Sequence, residues 1–184
     1  MEEIKNWYSN FQYENQMKTE IFKDNVSLSV NFDKIKDIYI IKSYLTELPN
    51  NYLQYFCNPT KIQKMNDNIK EINIVEENNN YKILDFKINI NTSNINVGVF
   101  RKKEQIFIEK YDNGFYVYSK NIYIPNEIIK VKESYSVTHV YNYNGETKID
   151  VLIEMVSDIP LILKKIPALI IIKTIINLQN KIQG

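Results

Sequence analysis

A single histidine, His139, and a single cysteine, Cys57, stand among 184 residues, so the reactive groups open to this chain are few. Through residues 127–143 the two-residue period of a strand puts Ile129, Val131, Glu133, Tyr135, Val137, His139 and Tyr141 on one face. Lys130, Lys132, Ser134, Ser136 and Thr138 share the other face, and the first, more apolar set is expected to point inward. A carboxylate and an imidazole on one apolar surface have two uses. With a substrate between them they are an acid–base pair. If the surface lines a pocket, they are the groups that select a ligand by its polar end. A pair bonded only to each other, or a strand of the opposite register that turns both outward, is the alternative. Arg101, Lys103 and Glu104 are further candidates for polar selectivity. One cysteine forms no internal disulfide, and no Cys/His set has zinc-ligand spacing. No nucleophile motif or phosphate loop is present, and no metal or cofactor is expected.

The elements that must carry these groups are mainly strands. Ile4, Trp7, Tyr8 and Phe11 recur at helical spacing and predict an opening helix within residues 1–18, ending near Met17. Strands are predicted over residues 20–32 and 35–45, with Val26, Leu28, Val30 and Phe32 in alternation. Pro49 and Pro59 bracket a short helix over residues 48–57, and a second helical turn is predicted over residues 60–65. Strands follow over 69–77, 81–90, 97–108, 115–122, 127–143 and 148–157, with Asn78-Asn79-Asn80, Asn113-Gly114 and Asn144-Gly145 as turns. Such short connections predict an antiparallel sheet. Residues 159–182 then read as one hydrophobic helix carrying Lys164, Lys165, Lys173 and Lys181. Those lysines exclude a membrane-spanning helix, which needs about 20 apolar residues in a row. Pro167 offers the helix a hinge.

One apolar helix after enough strands for a single curved sheet suggests a sheet wrapped around a helix, with an apolar pocket between. Phe86, Val131, Glu133, Tyr135, Val137, His139 and Ile153 are its predicted wall. Leu163, Ile166, Leu169 and Ile170 on the helix, with Val97, Val99 and Phe100 on a strand tip, are its predicted lid and membrane contacts. A net charge of +1, with lysines alternating with acids, argues against a dedicated nucleic-acid binder. The hydrophobic content of 44% suits a substantial core, so residues 1–184 are read as one α+β domain. The acidic start MEEIKNWYSN lacks the pattern of a secretory signal, and a cytoplasmic location is expected.

Several strings, taken in order, resemble the StAR-related lipid-transfer (START) family. Lys64-Met65-Asn66-Asp67 before the strand at residues 69–77 resembles the family's Trp-Asp segment, with Met65 in the place of tryptophan. Lys103-Glu104 before Ile106-Phe107-Ile108 is similar to its Arg-Asp-Phe-Val strand, and Asp112 to Ser119 to its hairpin return. Asp158-Ile159-Pro160 is similar to its entry into the last helix, without the family's glycine. The resemblance spans residues 20–182. It implies a helix-grip fold, a curved antiparallel sheet wrapped around a long C-terminal helix. It also implies a monomer that binds one lipid and transfers it between membranes through transient surface contact. Phospholipid is the favoured class, because a lysine-rich lid would attract anionic membrane. The expectation is a carrier and not an enzyme. The alternatives are a helix-grip enzyme of the cyclase or hydratase kind, and an adaptor whose pocket is filled by side chains.

Overall fold

The computed structural model describes residues 1–11, 18–23, 26–32, 36–45, 53–91, 96–125, 127, 129–158, 164, 170, 172–177 and 180. Among them, nine strands form one antiparallel sheet: β1 (Lys18–Lys23), β2 (Val26–Phe32), β3 (Asp37–Leu45), β4 (Ile69–Glu77), β5 (Lys82–Asn91), β6 (Asn96–Tyr111), β7 (Gly114–Ile122), β8 (Val131–Tyr143) and β9 (Glu146–Ser157). Their spatial order is β1-β2-β3-β9-β8-β7-β6-β5-β4. The chain therefore leaves the sheet after β3 and re-enters at the far edge. The crossing carries α2 (Gln54–Cys57) and α3 (Pro59–Met65). Asn58 caps α3, accepting from the Lys61 N–H at 3.2 Å, and Pro59 takes a first-turn position where a missing N–H costs nothing. Pro59 thus opens a helix as well as ending one.

Two faces of the sheet are buried, and they differ in kind. The concave face holds the main core, where Leu28, Ile41, Leu84, Val140 and Ile149 are fully buried and Met65 of α3 packs beneath them. Phe56 of α2 meets Phe115 edge-on, with ring centroids 5.8 Å apart. The convex face is covered by the opening helix, α1 (Glu2–Ser9), which is shorter than the sequence suggests; residues 12–17 lie outside the described residues. Ile4 of α1 is buried against Phe107, Tyr118, Tyr135 and Val137, with Trp7 and Tyr8 alongside. Ion pairs Lys5–Glu109 and Lys120–Glu3, both 2.7 Å, pin it at the sides.

The single predicted strand over residues 20–32 is two, β1 and β2, and β8 begins at Val131 rather than Glu127. Asn144 (φ 54°) and Gly145 (φ 82°) both occupy the left-handed region that a two-residue turn between twisted strands requires. In the C-terminal segment, residues 170, 172–177 and 180 are helical, and the remainder of the predicted 159–182 helix lies outside the described residues. No helix of the described residues is long and apolar enough to cross a membrane.

One local irregularity decides which side chains face inward. Val131 pairs with Ser157, but Glu133 pairs with Val156, so β8 holds one residue more than β9 at this point. Such a bulge inverts the two faces of everything that follows it. Beyond it, Ser134, Ser136, Thr138 and Val140 point to the concave side, and Glu133, Tyr135, Val137 and His139 to the convex side.

Candidate ligand-binding cavity

The concave face is not filled. A cavity of about 360 Å³ lies between the sheet, the crossing helices and the C-terminal helical segment. Phe86, Ile88 and Ile90 of β5 form one wall, in period-two succession. Tyr55, Phe56, Ile62 and Met65 of α2 and α3 close one side, and Ile170, Thr174 and Ile175 form the wall from the C-terminal segment. That segment is held to the crossing helices by Asn177, whose side chain donates to the Met65 carbonyl at 3.0 Å, and by the exposed pair Lys173–Asp67 at 3.1 Å. Earlier in the segment, Lys164 is buried and its ammonium lies 2.7 Å from the buried Asp37 carboxylate, while Tyr39 donates to the Lys164 carbonyl at 3.0 Å. Lys164 and Lys173, read from sequence as available to anionic lipid, are both engaged by the protein's own carboxylates.

Apart from Tyr55, Asn66 and Thr174, the polar side chains of the cavity gather on one wall. Along β6, Phe100, Lys102, Glu104 and Ile106 alternate inward, and Lys102 Nζ lies 2.6 Å from Glu104 Oε1. The Ser119 hydroxyl reaches Glu104 at 3.4 Å and shares a 2.7 Å hydrogen bond with Ser136 across β7 and β8. Thr138 follows in the same row. An ion pair inside apolar walls is stable only when its partners stay together, since either charge alone would lose hydration without compensation. The pair and its hydroxyls form a neutral hydrogen-bonding strip.

Of the residues chosen from sequence, Phe86, Val131, Glu104, Phe100 and Ile170 line this cavity. Ile153 faces the same side but packs against the core without lining the void. Glu133, Tyr135, Val137 and His139 lie on the opposite face because of the bulge. Tyr135 is buried under α1, and its hydroxyl is 2.6 Å from both Glu133 and Glu3. The His139 ring stacks between Tyr116 and Tyr141, at centroid distances of 4.0 and 4.3 Å, and its Nε2 is 2.6 Å from the Tyr111 hydroxyl. Burial holds the imidazole below its ordinary pKa of 6.5, with Asp150 opposing weakly. Arg101 and Lys103 do not line the cavity either, for simple alternation places them opposite Lys102 and Glu104; Arg101 pairs with Asp85. Val99 is exposed. The side chain of Val97, with Leu163, Ile166 and Leu169, lies outside the described residues.

Sequence reasoning passed over Lys102, Ser119, Ser136 and Thr138. Lys102 was within reach, since Phe100 and Ile106 set the inward period of β6 on either side of it. The serines and Thr138 carried no such signal.

A curved antiparallel sheet that grips helices over an internal apolar cavity is a helix-grip fold. No protein-family profile and no curated protein matches the chain by sequence. Solved structures match throughout its length. The StAR-related lipid transfer protein of Xanthomonas axonopodis (fragment 25–204) superposes with a TM-score of 0.74 at 8% identity, covering 92% of this chain and 100% of that one. Human StAR-related lipid transfer protein 5 gives 0.72 at 10% identity, over 97% and 91%. The Zhui aromatase/cyclase of Streptomyces sp. R1128 gives 0.56 at 5% identity, over 79% and 90%. The chain has a START-like fold, and at these identities the likeness speaks for the fold alone.

Proposed function

We propose that this protein binds one lipid in the concave cavity and carries it between membranes. The observation that supports this most is the cavity itself: about 360 Å³, walled mainly by Ile, Phe, Met and Val, with a polar strip across β6, β7 and β8 and with Asn66 and Thr174 elsewhere on its lining. Small-molecule sites run from roughly 300 to 1,000 Å³, and a space filled by side chains would leave far less. Apolar ligand surface removed from water contributes roughly 25 cal/mol per Å², so the walls supply affinity and the strip supplies orientation. A volume toward the lower end of the range favours a lipid with one chain or a compact body over a two-chain phospholipid.

The carrier reading is preferred to an enzyme because, among the described residues of the cavity, the acid and base that stand together, Glu104 and Lys102, are bound to each other. His139 is on the far side of the sheet, and Glu104 is engaged by Lys102 and Ser119. The aromatase/cyclase likeness keeps the enzyme as the second reading. Vesicle transfer separates the two. Purified protein is mixed with donor liposomes bearing labelled lipids and with unlabelled acceptors. Label moving to acceptors chemically unchanged is the expected result, whereas label converted to a new compound would establish the enzyme. Mass spectrometry of lipid that co-purifies from native cells identifies the cargo.

A further inference from the structure

β4 ends the sheet on one side, and among the described residues no further strand meets its open edge. Ile72 is its buried residue, whereas Ile74 and Val75 are 44% and 54% exposed. A strand residue points its N–H and C=O to the same side, and successive residues alternate. The Arg101 N–H goes to Glu127 and not to β5, so its cross-strand partner Lys87 points to β4, where it meets Glu71. Asn73 meets Asp85 in the same phase. Ile72 and Ile74 therefore turn their N–H and C=O outward, as does the Lys70 carbonyl, which accepts from Gln63 Nε2 at 2.6 Å. Such an edge is a template for another strand. Lys70 stands near one end of β4 and Glu76 near the other. Among the described residues neither meets an opposite charge: Lys70 donates to the Asp67 carbonyl, and Glu76 accepts from the Tyr81 hydroxyl.

We propose that two copies of this chain pair through β4, antiparallel and centred on Asn73, in place of the monomer that the resemblance implies. Ile72 of one copy then exchanges both backbone bonds with Ile74 of the other, and the two-fold axis repeats the exchange. The open stretch allows two further registers. With Ile72 opposite Ile72, Lys70 meets Ile74 and gains no counter-charge. With Ile74 opposite Ile74, Glu71 meets Glu77, and like charges directly opposite are destabilising. The register on Asn73 instead sets Lys70 of each copy against Glu76 of the other, and it covers the exposed Ile74. Shifts at Ile69/Glu71 and Ile74/Glu76 confine the open backbone to the residues between them, so the contact is short and selective. Interfaces below about 1,200 Å² belong to weak, transient complexes. The second copy is thus a reversible partner.

Sedimentation equilibrium of the full chain, from about 10 µM to 1 mM, reads the association. The wild-type protein should form a concentration-dependent dimer. Lys70→Glu and Glu76→Lys, each alone, should weaken it about tenfold, and an equimolar mixture of the two variants should dimerise as well as the wild type. Ile74→Pro removes an outward N–H, so it should abolish the dimer at an unchanged melting temperature. A monomer at every concentration overturns the proposal. A dimer that survives in folded Ile74→Pro places the contact elsewhere and overturns the role of β4. A fall in melting temperature for Ile74→Pro turns that N–H inward and overturns the open edge. Charge variants that associate no better mixed than alone overturn the register on Asn73. Each of these results leaves the carrier reading as it stands, since the cavity lies within one copy.

Discussion

His139 is placed by its ring neighbours and not by a substrate. Its imidazole sits between Tyr116 and Tyr141, faces Tyr111, and is cross-strand from Asp150, all on the convex side. Because burial depresses its folded pKa, the unfolded chain takes up a proton near pH 6.5 that the folded chain resists. Stability is therefore full above about pH 6.5 and declines as pH falls toward the lowered folded value. His139→Phe preserves a stacked ring and removes the proton. Urea midpoints compared at about pH 7.5 and 5.5 should show the wild-type loss shrinking in the variant, and its bound-lipid profile should be unchanged. Glu3 and Glu109, held below 4.5 first by hydrogen bonds from Lys120 and Lys5, lose their contribution only at lower pH. Gly114 has one acceptable identity: a Cβ there would lie 2.1 Å from the Val140 carbonyl oxygen. Gly114→Ala should cost about 1–3 kcal/mol in chemical unfolding, since backbone and not a flexible side chain must give way.

Among the elements, β8 separates what could be read from the sequence from what could not. Hairpins announced by Asn113-Gly114 and Asn144-Gly145, and the strands flanking them, were legible, because turn chemistry and alternation agree there. The bulge at the start of β8 was not. The alternation of apolar residues through Val131, Tyr135 and Val137 is interrupted only by Glu133 at the bulge, and no glycine marks the inserted residue. The usual rule that the apolar side faces the core then misleads, because α1 supplies a second core on the convex side. Tyr135 and Val137 go under that helix, and Ser136 and Thr138 are left for the cavity. The helix is correspondingly important to stability and remote from the cavity. Ile4→Ala should destabilise the protein by about 2–5 kcal/mol, measured by urea unfolding, while lipid bound per folded molecule stays constant.

At the scale of the whole molecule, the sheet curves over space that a tighter core would fill. Val117 lines that space from β7 at its centre. Val117→Trp should occupy the void: lipid capture drops several-fold by mass spectrometry, while the melting temperature holds or rises. Retained capture would move the ligand elsewhere. The antiparallel sheet was visible in the succession of strands and turns, but the cavity's polar strip required a register that no local pattern sets.

Strand order has a consequence for how the chain comes to be built. β3 is flanked by β2 and by β9, with Asp37 beside Met155 and Leu45 beside Thr147. During synthesis, the first three strands leave the ribosome with one side of β3 unsatisfied until the ninth arrives. Pairings so distant along the chain slow folding and prolong the exposure of an unpaired strand edge. Nascent-chain release stalled before β9 should therefore yield a species that chaperones hold and proteases cut, however complete its other hairpins.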